Sequence, residues 1–174
     1  MKTKTEQILA VMNVLAWVAF IGLMIKAGAI LTSYGVSICN PAASKNLYMK
    51  LNLENLREFN FWHYTGIVSM LFALEILKAY IAFLVIKVLS KIKLSNPFTN
   101  EVSEVLERIS HFIFATWVLT MFYNAHVKWV SKSLPGQPEN YISGEFILLA
   151  GVVFVFSQIF KKGVEIQSEN DLTI

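Results

Sequence analysis

Four long apolar runs divide this chain, and they leave it few ways to fold in water. The first, residues 8–25, carries no charged side chain. The second, residues 61–89, is interrupted only by Glu75, Lys78 and Lys87. The third is mostly apolar from 112 to about 127, and the fourth covers 141–160 with Glu145 near its start. A helix needs about 20 apolar residues to cross the hydrocarbon of a bilayer. Charged residues make up only 16% of the chain and sit mostly between the runs. The expected fold is therefore an all-α integral membrane protein, a four-transmembrane-helix bundle in a single membrane domain, 1–174. The predicted spans are about 7–31, 61–90, 109–131 and 141–161.

The first run has a rival interpretation. Lys2 and Lys4 resemble the charged start of a secretory signal, and Ala27-Gly28-Ala29 resembles a cleavage site. Its apolar stretch exceeds the roughly 7–15 residues of a signal core, which favours a retained anchor. Lys26 is expected to snorkel at one end of that anchor.

Residues 32–60 form the predicted outer loop. Asn40-Pro41 favours a turn. Residues 48–53 partly alternate apolar and polar side chains, which predicts a short strand with 34–38 as its partner in a β-hairpin. Residues 54–60 predict a short helical turn.

Residues 91–100 form the predicted inner loop. Its segment Ser95-Asn96-Pro97-Phe98-Thr99-Asn100 breaks the helical pattern. Thr99 or Asn100 can cap the next helix, with Glu101 at its positive end. Val102, Val105, Leu106, Ile109, Phe112 and Ile113 recur on one face of that helix, and Glu101, Glu104 and Arg108 lie away from it. Pro135-Gly136-Gln137-Pro138 predicts the next turn, and a polar, acidic tail occupies 163–174.

Orientation follows from the basic residues. With both termini in the cytoplasm, the inner side holds Lys2, Lys4, Lys87, Lys91, Lys93, Arg108, Lys161 and Lys162. The outer side then holds Lys26, Lys45, Lys50, Arg57, Lys128 and Lys132, a balance of eight to six. Positive charge prefers the cytoplasmic side, so both termini are expected there, in a bacterial inner membrane.

Two segments carry a family resemblance. One is Asn96-Pro97-Phe98-Thr99-Asn100-Glu101-Val102 followed by Leu106-Glu107-Arg108-Ile109. The other runs from Phe160-Lys161-Lys162-Gly163 to the ending Glu169-Asn170-Asp171-Leu172-Thr173-Ile174. With four apolar runs in this length, the chain resembles the bacterial domain-of-unknown-function 2975 family. That resemblance implies a small multi-spanning membrane protein without an assigned activity. It also implies a regulatory partnership with a small helix-turn-helix protein encoded nearby. No catalytic residue is carried over.

Several polar residues are candidates for chemistry. Glu75 lies about 20 Å into the second helix at 1.5 Å per residue, and Lys78 shares its face. This intramembrane pair reads either as an internal ion pair or as a proton or ion relay. His63, His126 and Glu145, with Asn124 nearby, fall at similar heights in an antiparallel bundle. They are weak candidates for a divalent metal, with hydrogen bonding at the interface as the competing account. The single cysteine, Cys39, excludes an internal disulfide and lies in the predicted loop, a poor place for an intramembrane nucleophile.

No phosphate-binding glycine loop or nucleophile elbow is present. A net charge of +3, without a basic stripe, gives no basis for direct nucleic-acid binding. The expectation is a non-enzymatic protein without a cofactor. Its partners would be the lipid bilayer and a cytosolic protein such as the helix-turn-helix regulator. The predicted contact residues are Asn96, Pro97, Phe98, Thr99, Glu101 and Arg108 of the loop and Glu169, Asn170, Asp171, Leu172, Thr173 and Ile174 of the tail. The alternative is a small transporter or channel component using Glu75 and Lys78.

Overall fold

The computed structural model describes residues 4–48, 50–92, 98–134, 141–143 and 146–171. Those residues form five α-helices, α1 (Lys4–Cys39), α2 (Glu54–Phe59), α3 (Phe61–Lys91), α4 (Asn100–Ser133) and α5 (Phe146–Asp171), with a short 3-10 helix at Pro41–Asn46. Four segments, Lys4–Cys39, Phe61–Lys91, Asn100–Ser133 and Ile147–Glu169, are long and apolar enough to cross a membrane. Their outward surfaces agree. Val14, Leu15, Val18 and Ile25 of α1 are each more than 60% exposed, and Leu148 of α5 is 76% exposed. Continuous apolar exposure of this kind suits hydrocarbon and not water.

The predicted hairpin does not form among the described residues, and one of its two segments is helix. Residues 34–38 belong to α1, which runs on to Cys39 instead of ending at 31. The polar residues there support the helix locally. Thr32 Oγ1 donates to the Gly28 and Ala29 carbonyls, and Ser37 Oγ to the Tyr34 carbonyl. Hydroxyls at such positions bond back along a helix, so a polar stretch need not end one. Among the described residues the rest of the loop turns without a strand. Asn40 Oδ1 accepts from the Ala42 amide, and Asn52 Oδ1 from the Glu54 amide at the start of α2. Lys50 sits at φ 68, with its amide held by Asn46 Oδ1 at 2.9 Å. Of the apolar residues that suggested alternation, Leu53 is in the core and Tyr48 and Leu51 pack against it.

Two compact units make up the chain, and their boundaries fall inside α1, α3 and α4. Unit 1 comprises Met1–Ile21, Ala79–Ala115 and Glu145–Ile174. Its core joins Leu84 and Val88 of α3 to Val102, Val105, Ile109 and Ile113 of α4 and Ala150 of α5. The apolar face predicted for the start of α4 is thus spent on internal packing. Ser103 Oγ also donates to the Ser157 carbonyl at 3.2 Å, tying α4 to α5. Such interhelical bonds average about 0.6 kcal/mol in a membrane protein.

Unit 2 comprises Gly22–Lys78 and Thr116–Gly144. Its core joins Ile30 of α1, Tyr64, Ile67, Val68 and Leu74 of α3, and Tyr123, Val127 and Val130 of α4. Leu47, Leu53 and Leu56, from the segment between α1 and α3, complete it. Asn60 starts α3 by accepting from the Trp62 and His63 amides, which satisfies donors that no helical carbonyl can reach.

Candidate functional site

Three groups of residues are candidates for function. The first is in unit 2. Glu75 is 3% exposed, in the middle of α3, and its Oε1 accepts from two ammonium groups. Lys78 Nζ is 3.2 Å away, one helical turn along, and Lys26 Nζ of α1 is 2.9 Å away. A charge buried in a membrane span is costly unless partnered, and the carboxylate here is shared by two cations. The other oxygen, Oε2, is buried without a hydrogen-bond partner. The group opens into a cavity of about 610 Å³ whose wall includes Ile30, Tyr48, Lys50, Leu71 and Tyr123. The Lys26 ammonium lies 5.8 Å from the centre of the Tyr48 ring, within cation–π range.

Sequence reasoning paired Glu75 with Lys78 but missed Lys26, which it placed at the membrane boundary. The signal was present. Lys26 is the one charge in an otherwise apolar stretch of α1, and Glu75 is the one acidic residue of α3. Opposite charges placed so on different helices are natural partners.

The second group contains the weak metal candidates. The His63 and His126 rings are 5.3 Å apart, and Trp129 lies 4.9 Å from His63. Glu145 lies outside the described residues. Among the described residues no group of three or more His, Cys, Asp or Glu is placed to share a metal ion. Asn124 does something different. Its Nδ2 donates to the Ile142 carbonyl at 2.8 Å, and its Oδ1 accepts from the Ile142 amide at 3.0 Å. This two-bond clasp holds the chain just before α5.

The third group is the loop and tail in unit 1. Asn96 and Pro97, Leu172, Thr173 and Ile174, and the turn at 135–138 lie outside the described residues. Thr99 caps α4 as expected, its Oγ1 accepting from the Val102 amide at 3.3 Å. Glu101 is exposed and forms an ion pair with Lys91. Arg108 is exposed. The tail is not an extended terminus, because α5 continues through Glu169 and Asn170 to Asp171. Lys162 pairs with Glu165 at 2.8 Å, and Ser168 Oγ donates to the Glu165 carbonyl. Pairs three residues apart share a helix face and favour its continuation.

Loop and tail meet at Phe98. Its ring centre is 5.2 Å from that of Phe160. At Gly163, an added Cβ would stand 2.5 Å from the Phe98 ring. Glycine here leaves the space that the ring occupies.

No curated protein and no solved structure matches the chain. One family model does, described as Protein of unknown function (DUF2975), over residues 52–174. That stretch takes in three of the four candidate spans, the loop with Phe98 and the whole of α5, so the chain belongs to the DUF2975 family.

Proposed function

We propose that this protein is a non-enzymatic regulator of a bacterial inner membrane, acting by binding a cytosolic protein through the 96–108 loop and the end of α5. The observation that carries this is the packing of Phe98 on Phe160 and over Gly163. Two segments far apart in sequence thereby touch. Both carry exposed polar side chains, Glu101, Glu104 and Arg108 on α4 and Lys161, Lys162 and Glu165 on α5. Exposed charges of both signs on two packed helices suit recognition of a soluble partner more than chemistry. Both termini would face the cytoplasm, by the balance of basic residues. The four spanning helices would form the bundle that presents this face.

The proposed partner is a small helix-turn-helix protein. Deleting residues 167–174 should lower its recovery in a pull-down while membrane insertion is kept. Full recovery after deletion would remove the tail from the contact.

A further inference from the structure

The cavity beside Glu75 has a charge balance that calls for a particular kind of occupant. Among the described residues its wall carries three ammonium groups, Lys26, Lys50 and Lys78, against the one carboxylate of Glu75. Two of the three already converge on one oxygen of that carboxylate. A cation entering here would be repelled by more positive charge than the one carboxylate offsets, and an anion would be attracted by it. The low dielectric of a membrane span makes that preference stronger than it would be in water.

The carboxylate adds a second requirement. Glu75 is 97% buried by its 3% exposure, and Oε2 has no partner. A buried acceptor left unsatisfied is costly, and in native proteins it usually marks a missing donor. That oxygen belongs to a group lining the cavity, so an occupant can supply the donor. The remaining wall is largely apolar and aromatic, including Ile30, Leu71 and Tyr48. A few converging polar groups in such a wall are the usual make-up of a small-molecule site, and about 610 Å³ falls within the usual size range.

We infer that this cavity binds a phosphate ester that also carries a hydroxyl or ammonium donor, with the phosphate on Lys26 and Lys78 and the donor on Glu75. Two sources share this chemistry, an acidic phospholipid headgroup and a soluble phosphate ester. Neither involves the loop-and-tail surface, so the inference stands apart from the partner-binding proposal.

Full-length protein in an uncharged detergent can be titrated while its thermal midpoint is followed. The probes are short-chain phosphatidylglycerol, glycerol 3-phosphate and short-chain phosphatidylcholine, whose headgroup has phosphate but no donor. Sodium chloride at matched ionic strength controls for screening. Phosphatidylglycerol should bind at least about tenfold more tightly than phosphatidylcholine, a tenfold step being 1.4 kcal/mol. Binding of phosphatidylglycerol alone identifies the lipid as the source, and binding of glycerol 3-phosphate as well extends the site to soluble esters. Lys78→Gln should weaken binding about tenfold, and Lys78→Arg should keep it. Glu75→Gln should narrow the preference for phosphatidylglycerol over phosphatidylcholine, because it removes the charged acceptor for the donor. A purely structural ion pair would leave that ratio unchanged. The inference is overturned if phosphatidylglycerol shifts the midpoint no more than phosphatidylcholine or chloride. It is also overturned if Lys78→Gln, folded by circular dichroism, binds as tightly as the native protein.

Discussion

The Phe98 ring occupies the space in which residue 163 would carry its Cβ, at 2.5 Å from the ideal position. Glycine at 163 therefore sets how closely the loop before α4 can lie on α5. Gly163→Val should push the ring off Phe160 and cost about 1–3 kcal/mol, the usual range for overpacking. The thermal midpoint of the purified protein measures this. Adding Phe98→Ala to Gly163→Val should recover part of the loss, because the two changes share one contact.

Lys26 and Lys78 hold the same oxygen of Glu75, so the three substitutions should not be equivalent. Removing either lysine leaves the carboxylate one cation. Glu75→Ala leaves two ammonium groups without their anion and should cost about 3–5 kcal/mol, the range for breaking a buried pair from one side. Lys26→Gln and Lys78→Gln should each cost clearly less. Equal losses from all three in thermal unfolding would show that Oε1 is not the shared acceptor.

Ser37 and Tyr64 are both fully buried, and their hydroxyl oxygens are 2.7 Å apart. Ser37 spends its proton on the Tyr34 carbonyl, so Tyr64 donates to Ser37. Tyr64→Phe should cost about 0.5–1.5 kcal/mol through that bond. The same change made on Ser37→Ala should cost less, which a double-mutant cycle on the thermal midpoint would resolve.

Asn124 clasps both backbone groups of Ile142. Asn124→Asp keeps the acceptor but loses the donor, leaving the Ile142 carbonyl facing an oxygen. Asn124→Leu loses both bonds. Hydrogen exchange at the Ile142 amide should speed up markedly in the leucine variant and less in the aspartate variant. Unchanged exchange in both would mean that the clasp does not hold the segment.

Much of the architecture was legible because its cause is local and repeated. A run such as 8–25 has one economical fate, and the spacing of Val102, Val105, Ile109 and Ile113 fixed which side of α4 packs inward. Thr99 as a cap was legible for the same reason, since a capping residue acts on an amide three positions ahead. The segment 32–60 was misread because its alternation was short, and hydroxyl back-bonding at Thr32 and Ser37 lets α1 continue through polar sequence. The helical course of the tail to Asp171 was not legible because its polar sequence shows no apolar stripe, whereas Lys162, Glu165 and Ser168 support a helix. Lys26 and the Phe98–Gly163 contact depend on which helices become neighbours. That information is long-range and cannot be read from spacing within one segment.

The central claim is that the loop and α5 together present one partner-binding face on the cytosolic side. Site-specific photo-crosslinking in intact cells tests it most directly. A photoreactive residue placed singly at Glu104, Arg108 or Glu165, all exposed, should crosslink to the co-expressed helix-turn-helix protein. The same residue at Trp62, 80% exposed at the start of α3, should not. Crosslinks from all three surface positions and none from Trp62 are the predicted result. Absence of crosslinks at the three positions, or equal yield from Trp62, would contradict the account.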